Sequence, residues 1–210
     1  MIGGSTGGGA ASAPDAKQTG NSENKLRAVF LDRDGVLNRD SPDFVKSVDE
    51  LHLIPGTPSA VARLNKAGFL TIVISNQSGV ARGLLTEETL DAMHRKLCAD
   101  IQAAGGKITD VYYCPHLPDT GCPCRKPSPG MVEQAAEDYD VDLSRSFLIG
   151  DKIDDITCGA SAGCKTILVL TGQTLTYDPT RFYVQPDRVC RDLDEAADWI
   201  ISPGRPVIRT

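Results

Sequence analysis

From residue 26 onward the chain alternates two hydrophobic patterns. Ala28-Val29-Phe30-Leu31 and residues 69–75 are short apolar runs, which predicts strands buried on both faces, and 108–113, 146–149 and 166–170 read as further strands. Between them the apolar residues recur at helical spacing. Val61 and Leu64 follow Thr57-Pro58, which reads as an N-cap with proline at the first helical position, and Gly68 reads as the stop. Thr86-Glu87-Glu88 opens a longer helix with acids in its first turn. Leu90, Met93, Leu97 and Ile101 form its stripe, and Gly105-Gly106 ends it. Further helices are predicted over residues 129–139, 153–162 and 194–201. Strands alternating with helices predict an α/β fold, a Rossmann-like parallel sheet with helices on both faces.

Residues 1–24 break this rhythm. Met1 to Gly20 holds six glycines among Ser, Thr and Ala, without periodicity, and is expected to be a flexible tail. Residues 25–203 suffice for one domain, and 204–210 form a short C-terminal tail. The tail lacks the apolar run of a secretory signal, and no apolar stretch is long enough to span a bilayer, so a cytoplasmic protein without membrane contact is expected. Its 22 basic and 28 acidic residues give a net charge of −6, which argues against a nucleic-acid surface. A local site for a small phosphorylated metabolite stays open, as does action as a monomer.

In an open parallel sheet, ligands bind beyond the carboxyl ends of the strands. The first strand ends in Asp32-Arg33-Asp34-Gly35-Val36-Leu37-Asn38. In extended backbone, side chains two residues apart share a face, so Asp32 and Asp34 can both approach one ligand. The second strand ends in Ser75-Asn76-Gln77-Ser78-Gly79. Arg125-Lys126-Pro127 follows the third, and Gly150-Asp151-Lys152 follows the fourth, with Asp154 and Asp155 close behind. Taken singly, these are ordinary turn and surface residues. As an ordered set they suit phosphoryl transfer. Carboxylates can hold Mg²⁺, a lysine can neutralise phosphate charge, one carboxylate can attack phosphorus, and another can shuttle the proton.

Together the four segments resemble the four motifs of the haloacid dehalogenase superfamily of phosphatases. The resemblance runs from about Val29 to Thr171. It implies Asp32 as the nucleophile, Asp34 as general acid and base, and Ser75 and Lys126 as holders of the transferring phosphoryl group. It further implies a Mg²⁺ site built by Asp32, the Asp34 carbonyl and Asp151. Asn76, Gln77, Ser78, Arg125 and Lys152 would contact substrate. No long insertion follows the first or second acidic motif, so no large cap domain is expected.

Seven cysteines fit a closed disulfide framework poorly. Cys114-Pro115-His116 and Cys122-Pro123-Cys124 place four soft or borderline ligands within eleven residues, a spacing that predicts a tetrahedral Cys₃His zinc site over 114–124. A disulfide is the rival reading, disfavoured in a reducing compartment. A closed four-ligand shell predicts a structural role. Cys98, Cys158, Cys164 and Cys190 are then expected as small core residues. Within the superfamily, the zinc loop is similar to phosphatases of heptose bisphosphates and of histidinol phosphate. Ser75 to Gly83 and Lys126 to Met131 look like the former, whereas the short loop CPHLPDTGCPCRK resembles the latter equally well, and the Arg39–Val45 flap departs from the heptose pattern.

Overall fold

The computed structural model describes residues 25–202; the expected tails, 1–24 and 204–210, lie outside them. The strands are β1 (Arg27–Leu31), β2 (Phe69–Asn76), β3 (Asp110–Cys114), β4 (Phe147–Gly150), β5 (Lys165–Val169) and β6 (Arg188–Cys190). They form one sheet in the order β3-β2-β1-β4-β5-β6, and every neighbouring pair is parallel. The helices are α1 (Thr57–Lys66), α2 (Glu87–Ala103), α3 (Gly130–Asp138), α4 (Ile153–Ala162) and α5 (Leu193–Ile201).

The continuous apolar runs have the predicted cause. Ala28 to Leu31 are all fully buried, because both sheet faces are covered. Val29, Leu31, Val73, Ile149 and Ile167 face the core shared with α1, α2 and α5. Ala28, Phe30, Ile72 and Leu148 face the side where α3 and α4 supply Met131, Val132, Ala135 and Cys158. Each fully buried Leu or Ile here contributes roughly 1.5–3 kcal/mol through removal from water. The α2 stripe of Leu90, Met93, Leu97 and Ile101 is wholly buried, and Thr86 caps the helix by accepting a hydrogen bond from the Thr89 N–H.

Two expectations shift. Thr57 is the first residue of α1 rather than its cap. Its hydroxyl is buried and turned to the Val36 carbonyl, which leaves the cap position to Gly56 at φ 89°. That left-handed conformation carries no penalty for glycine. Strand β6 has no counterpart in the sequence reading. It is three residues long, too short to show a period, and exists because it pairs with β5 at the sheet edge. Cys158, Cys164 and Cys190 are buried and Cys98 is half-buried, all as free thiols.

Candidate active site

The order of the sheet reverses between β1 and β4, which opens a crevice at their carboxyl ends. Asp32, the first residue past β1, is tied there by its N–H donating to the Ile149 carbonyl of β4 at 3.0 Å. The residue is 3% exposed. Lys126 Nζ lies 2.8 Å from Asp32 Oδ1, and Lys152 Nζ lies 3.6 Å from Oδ2. The Arg33 N–H also donates to Oδ1. Burial pushes the Asp32 carboxyl up, but the charges of Lys126 and Lys152 outweigh it and hold the group below the usual carboxylate range. A buried carboxylate kept ionised, with one face toward a crevice, is a competent nucleophile.

The Asp32–Asn38 segment folds into a compact loop. The Leu37 and Asn38 N–H groups donate to the Arg33 carbonyl, and the Gly35 N–H donates to the Asn38 carbonyl. Gly35 has φ 90°, and a Cβ there would lie 2.6 Å from Asp151 Oδ2, so only glycine fits. The loop presents Asp34 beside Gln77, whose Nε2 donates to Asp34 Oδ2 at 2.9 Å and to Ser75 Oγ at 2.8 Å. Ser75, Gln77 and Ser78 are all buried at the end of β2. Asn76 spends both amide atoms on the Lys126 backbone, at 3.0 and 3.1 Å, and so fastens the third segment to the second.

Lys126 is as buried as Asp32. Its ammonium donates to the Ile74 carbonyl at 2.8 Å and lies 2.6 Å from Asp155 Oδ1. Burial alone would lower its pKa, yet Asp155 and Asp32 raise it, so the lysine stays charged. In the sequence Asp155 stands out only as a neighbour of the fourth segment. It occupies the first turn of α4 and also accepts the Lys152 N–H through Oδ2. Its position three residues after Lys152, at a helix start, was the available signal.

Carboxylate oxygens of Asp32, Asp151 and Asp155 lie within 4.8 Å of one another, all three buried. Asp151 Oδ1 has no hydrogen-bond partner, while Oδ2 accepts the Gln173 N–H at 2.6 Å. Burial, then the charge of Asp32, pushes Asp151 up to about 7. With all three carboxylates ionised, the two ammonium groups leave a net charge near −1, which, after burial, is why Asp151 resists ionisation. A buried carboxylate oxygen that accepts no hydrogen bond, with the Lys152 ammonium 3.5 Å away, fits a hard divalent cation with oxygen ligands.

Cys114, His116, Cys122 and Cys124 converge as the spacing predicts, with ligand atoms within 4.8 Å of one another. The three sulfurs stand 3.2 to 3.5 Å apart, and His116 Nδ1 is 3.5 and 3.3 Å from the sulfurs of Cys114 and Cys124. Those separations exceed a disulfide bond and suit four ligands around one ion. Cys114 is the last residue of β3 and pairs in register with Asn76 of β2. The loop therefore starts beside the second motif and returns the chain at Arg125-Lys126.

Arg125 sits at the rim, its Nη1 donating to the His116 carbonyl, and lines a cavity of about 440 Å³ with Lys126, Ser128 and Asp154. On the other flank, Lys152, Gln173, Thr174 and Arg181 line a cavity of about 390 Å³. Gln173 Nε2 also donates to Asp40 Oδ2 of the flap. Gln173 lies beyond β5, a strand end with no charged residue to draw attention.

The HAD-hydrolase-like family model matches residues 123–196. The chain is 42% identical over 176 residues to a Bordetella bronchiseptica protein named D-glycero-beta-D-manno-heptose-1,7-bisphosphate 7-phosphatase, covering 84% of this chain and 98% of the relative. It is 42% identical over 192 residues to a Thermosynechococcus vestitus D-glycero-D-manno-heptose-1,7-bisphosphate 7-phosphatase, covering 85% and 97%. The crystal structure of D,D-heptose 1,7-bisphosphate phosphatase from B. bronchiseptica, complexed with magnesium and phosphate, superposes with a TM-score of 0.78 over 84% of this chain and 98% of that one, at 42% identity. With its six-stranded parallel sheet, its strand-end carboxylates and these full-length relatives, the chain belongs to the heptose-bisphosphate phosphatase family of HAD-like phosphoric monoester hydrolases.

Proposed function

We propose that the protein removes the 7-phosphate of D-glycero-D-manno-heptose 1,7-bisphosphate through an aspartyl-phosphate on Asp32. The observation that carries the chemistry is the burial of an ionised Asp32 between the ammonium groups of Lys126 and Lys152 at the switch-point crevice. In the first step an Asp32 oxygen attacks phosphorus and the bond to the sugar oxygen breaks, while Asp34 delivers a proton to that oxygen. Ser75 and Lys126 hold the phosphoryl oxygens, and Lys152 stands over the same carboxylate from the opposite flank. In the second step Asp34 takes a proton from water, which attacks phosphorus and frees Asp32 and inorganic phosphate.

Asp32, Asp151 and the Asp34 carbonyl would hold Mg²⁺, whose role is to neutralise phosphate charge. Asp155 then keeps Lys126 in place. Gln77 and Ser78 border the phosphate position, Asn76 secures Lys126, and Arg125 reaches the part of the substrate that does not react. Its planar fork suits the second phosphate of a bisphosphate. Cys114, His116, Cys122 and Cys124 would hold zinc, which would fix the loop that delivers Arg125 and Lys126. Residues 25–203 constitute the catalytic domain. Among the described residues no helix is long and apolar enough to cross a membrane. A Cys₃His metal site works with reduced thiols, so the proposed place of action is the cytoplasm.

The test is phosphate release from heptose 1,7-bisphosphate and histidinol phosphate side by side, with magnesium supplied. A kcat/KM higher by about 10²-fold for the bisphosphate is expected, since a lost charge-assisted hydrogen bond is worth about 1.5–3 kcal/mol. Equal constants, or preference for histidinol phosphate, would overturn the substrate assignment.

A further inference from the structure

We infer that Arg33 is a positioning residue that fixes the orientation of the Asp34 carboxylate for proton delivery to the leaving oxygen. The inference rests on the role of Asp34 proposed above. Arg33 is 1% exposed and is the largest fully buried side chain among the described residues. Neighbouring side chains on an extended chain point to opposite faces. Here the tight loop closed on the Arg33 carbonyl brings the guanidinium back onto the next residue. Nε reaches Asp34 Oδ1 at 3.1 Å, and Nη2 reaches Oδ1 at 2.9 Å and Oδ2 at 2.8 Å. Asn38 Nδ2 adds a bond to Oδ1 at 2.8 Å, and Gln77 Nε2 adds one to Oδ2 at 2.9 Å. Asp34 is the one carboxylate paired with Arg33 among the described residues.

Stability does not account for this arrangement. Burying a guanidinium costs several kcal/mol of hydration, and an apolar side chain of similar volume is often no worse for folding. The fork instead fixes the plane of the carboxylate, since a planar donor pair holds both oxygens in a set geometry. Gln77 connects one oxygen of that carboxylate to Ser75, on the phosphate side of the site. Arg33 therefore spans both oxygens of Asp34 while Gln77 ties Oδ2 to the phosphate side, and the proton Asp34 delivers takes the place of one of these donors when it is loaded. Small displacements of a positioned catalytic group cost large factors in rate.

Proton delivery matters most when the leaving group is basic. In the first step the sugar oxygen leaves phosphorus with its bonding pair and takes the proton from Asp34. A p-nitrophenolate departs without one. Arg33→Met should therefore lower kcat/KM for the sugar bisphosphate by about 10²-fold but for p-nitrophenyl phosphate by less than about threefold, within the range general acid catalysis supplies. Arg33→Lys, which keeps the charge and loses the fork, should discriminate in the same direction by about tenfold. Thermal melting of each variant checks the fold; if Arg33→Met does not fold, Arg33→Lys carries the comparison. Equal losses on the two substrates, or no loss on either, would overturn the inference. Asp34→Asn run alongside separates the two failures. If it discriminates and the Arg33 variants do not, the Arg33 role alone is wrong. If it does not discriminate, the acid role of Asp34 is wrong and the positioning role falls with it.

Discussion

The strand-end crevice and the cysteine loop both gather potential metal ligands, and they are built by opposite means. The crevice draws Asp32, Lys126, Asp151 and Asp155 from three places in the chain and buries them almost completely. Its charges are held by strands whose apolar faces are packed on both sides. The loop draws its four ligands from eleven consecutive residues, and its short helical turn, Pro118–Thr120, buries nothing. Charge in the crevice is endured because a rigid sheet supports it, whereas order in the loop has to come from its ligands. The difference teaches where each region should fail. Damage to the crevice should appear first in turnover, and damage to the loop first in stability and metal content.

Asp32→Asn is the sharpest way to press that contrast. Turnover should fall by at least about 10³-fold, on the scale seen when a nucleophile is removed. Circular dichroism and zinc content should stay unchanged. Wild-type phosphate release by this variant would remove Asp32 from the nucleophile role. Lys126→Ala should be the next largest effect and should blur the two modes. It removes a phosphate contact worth about 10²–10³ in kcat, and it leaves Asp32 and Asp155 buried without their cation, which costs roughly 3–5 kcal/mol of stability. A rate within twofold of wild type would exclude this lysine from the site.

For the loop, purified protein should carry about one zinc per chain, and Cys122→Ser should lose it, because structural zinc binding energy is folding energy. The melting temperature should drop by several degrees, with a smaller loss in the kcat of the protein that remains folded. Metal analysis showing no zinc in fully active, stable protein would contradict this reading.

The smallest effect expected is a pH dependence of the crevice. Burial, then the charge of Asp32, pushes the Asp151 carboxyl up from 3.8 to about 7. Between those values the native protein keeps a proton that the unfolded chain has released. Metal-free stability should therefore fall as pH rises from about 4 to about 7. Asp32, held below its ordinary value, acts in the opposite sense, losing its contribution as pH falls through and below the carboxylate range. Magnesium needs the ionised carboxylate, so its affinity, read by titration calorimetry, should rise through the same window in which metal-free stability declines. A magnesium affinity flat from pH 5 to 8 would show that Asp151 is not a ligand.

The elements were legible from pattern where the physics is local. Apolar runs marked β1, β2, β4 and β5, a looser mixed run marked the half-exposed edge strand β3, and Thr86 and the stripe from Leu90 to Ile101 marked α2. The zinc ligands were legible for the same reason, since their geometry is set by short spacing. Strand β6 was not, because its pairing with β5 rather than its own three residues makes it a strand. Thr57 was misread as a cap because nothing in the sequence announces that its hydroxyl will turn to Val36.

The sequence by itself determined which chemistry was available. A carboxylate pair, a hydroxyl, a lysine and an acidic segment stand in order behind successive apolar runs, and a run of Cys and His stands between two of them. Only the tertiary structure decided how they are used. It set Asp155 against Lys126, turned Gln77 onto Asp34, fastened Asn76 to the Lys126 backbone and laid Gln173 on Asp151. Spacing along the chain specifies contacts within a turn or a loop. Contacts between residues tens of positions apart are set by strand order and by the close packing of the strand ends, which no local pattern encodes.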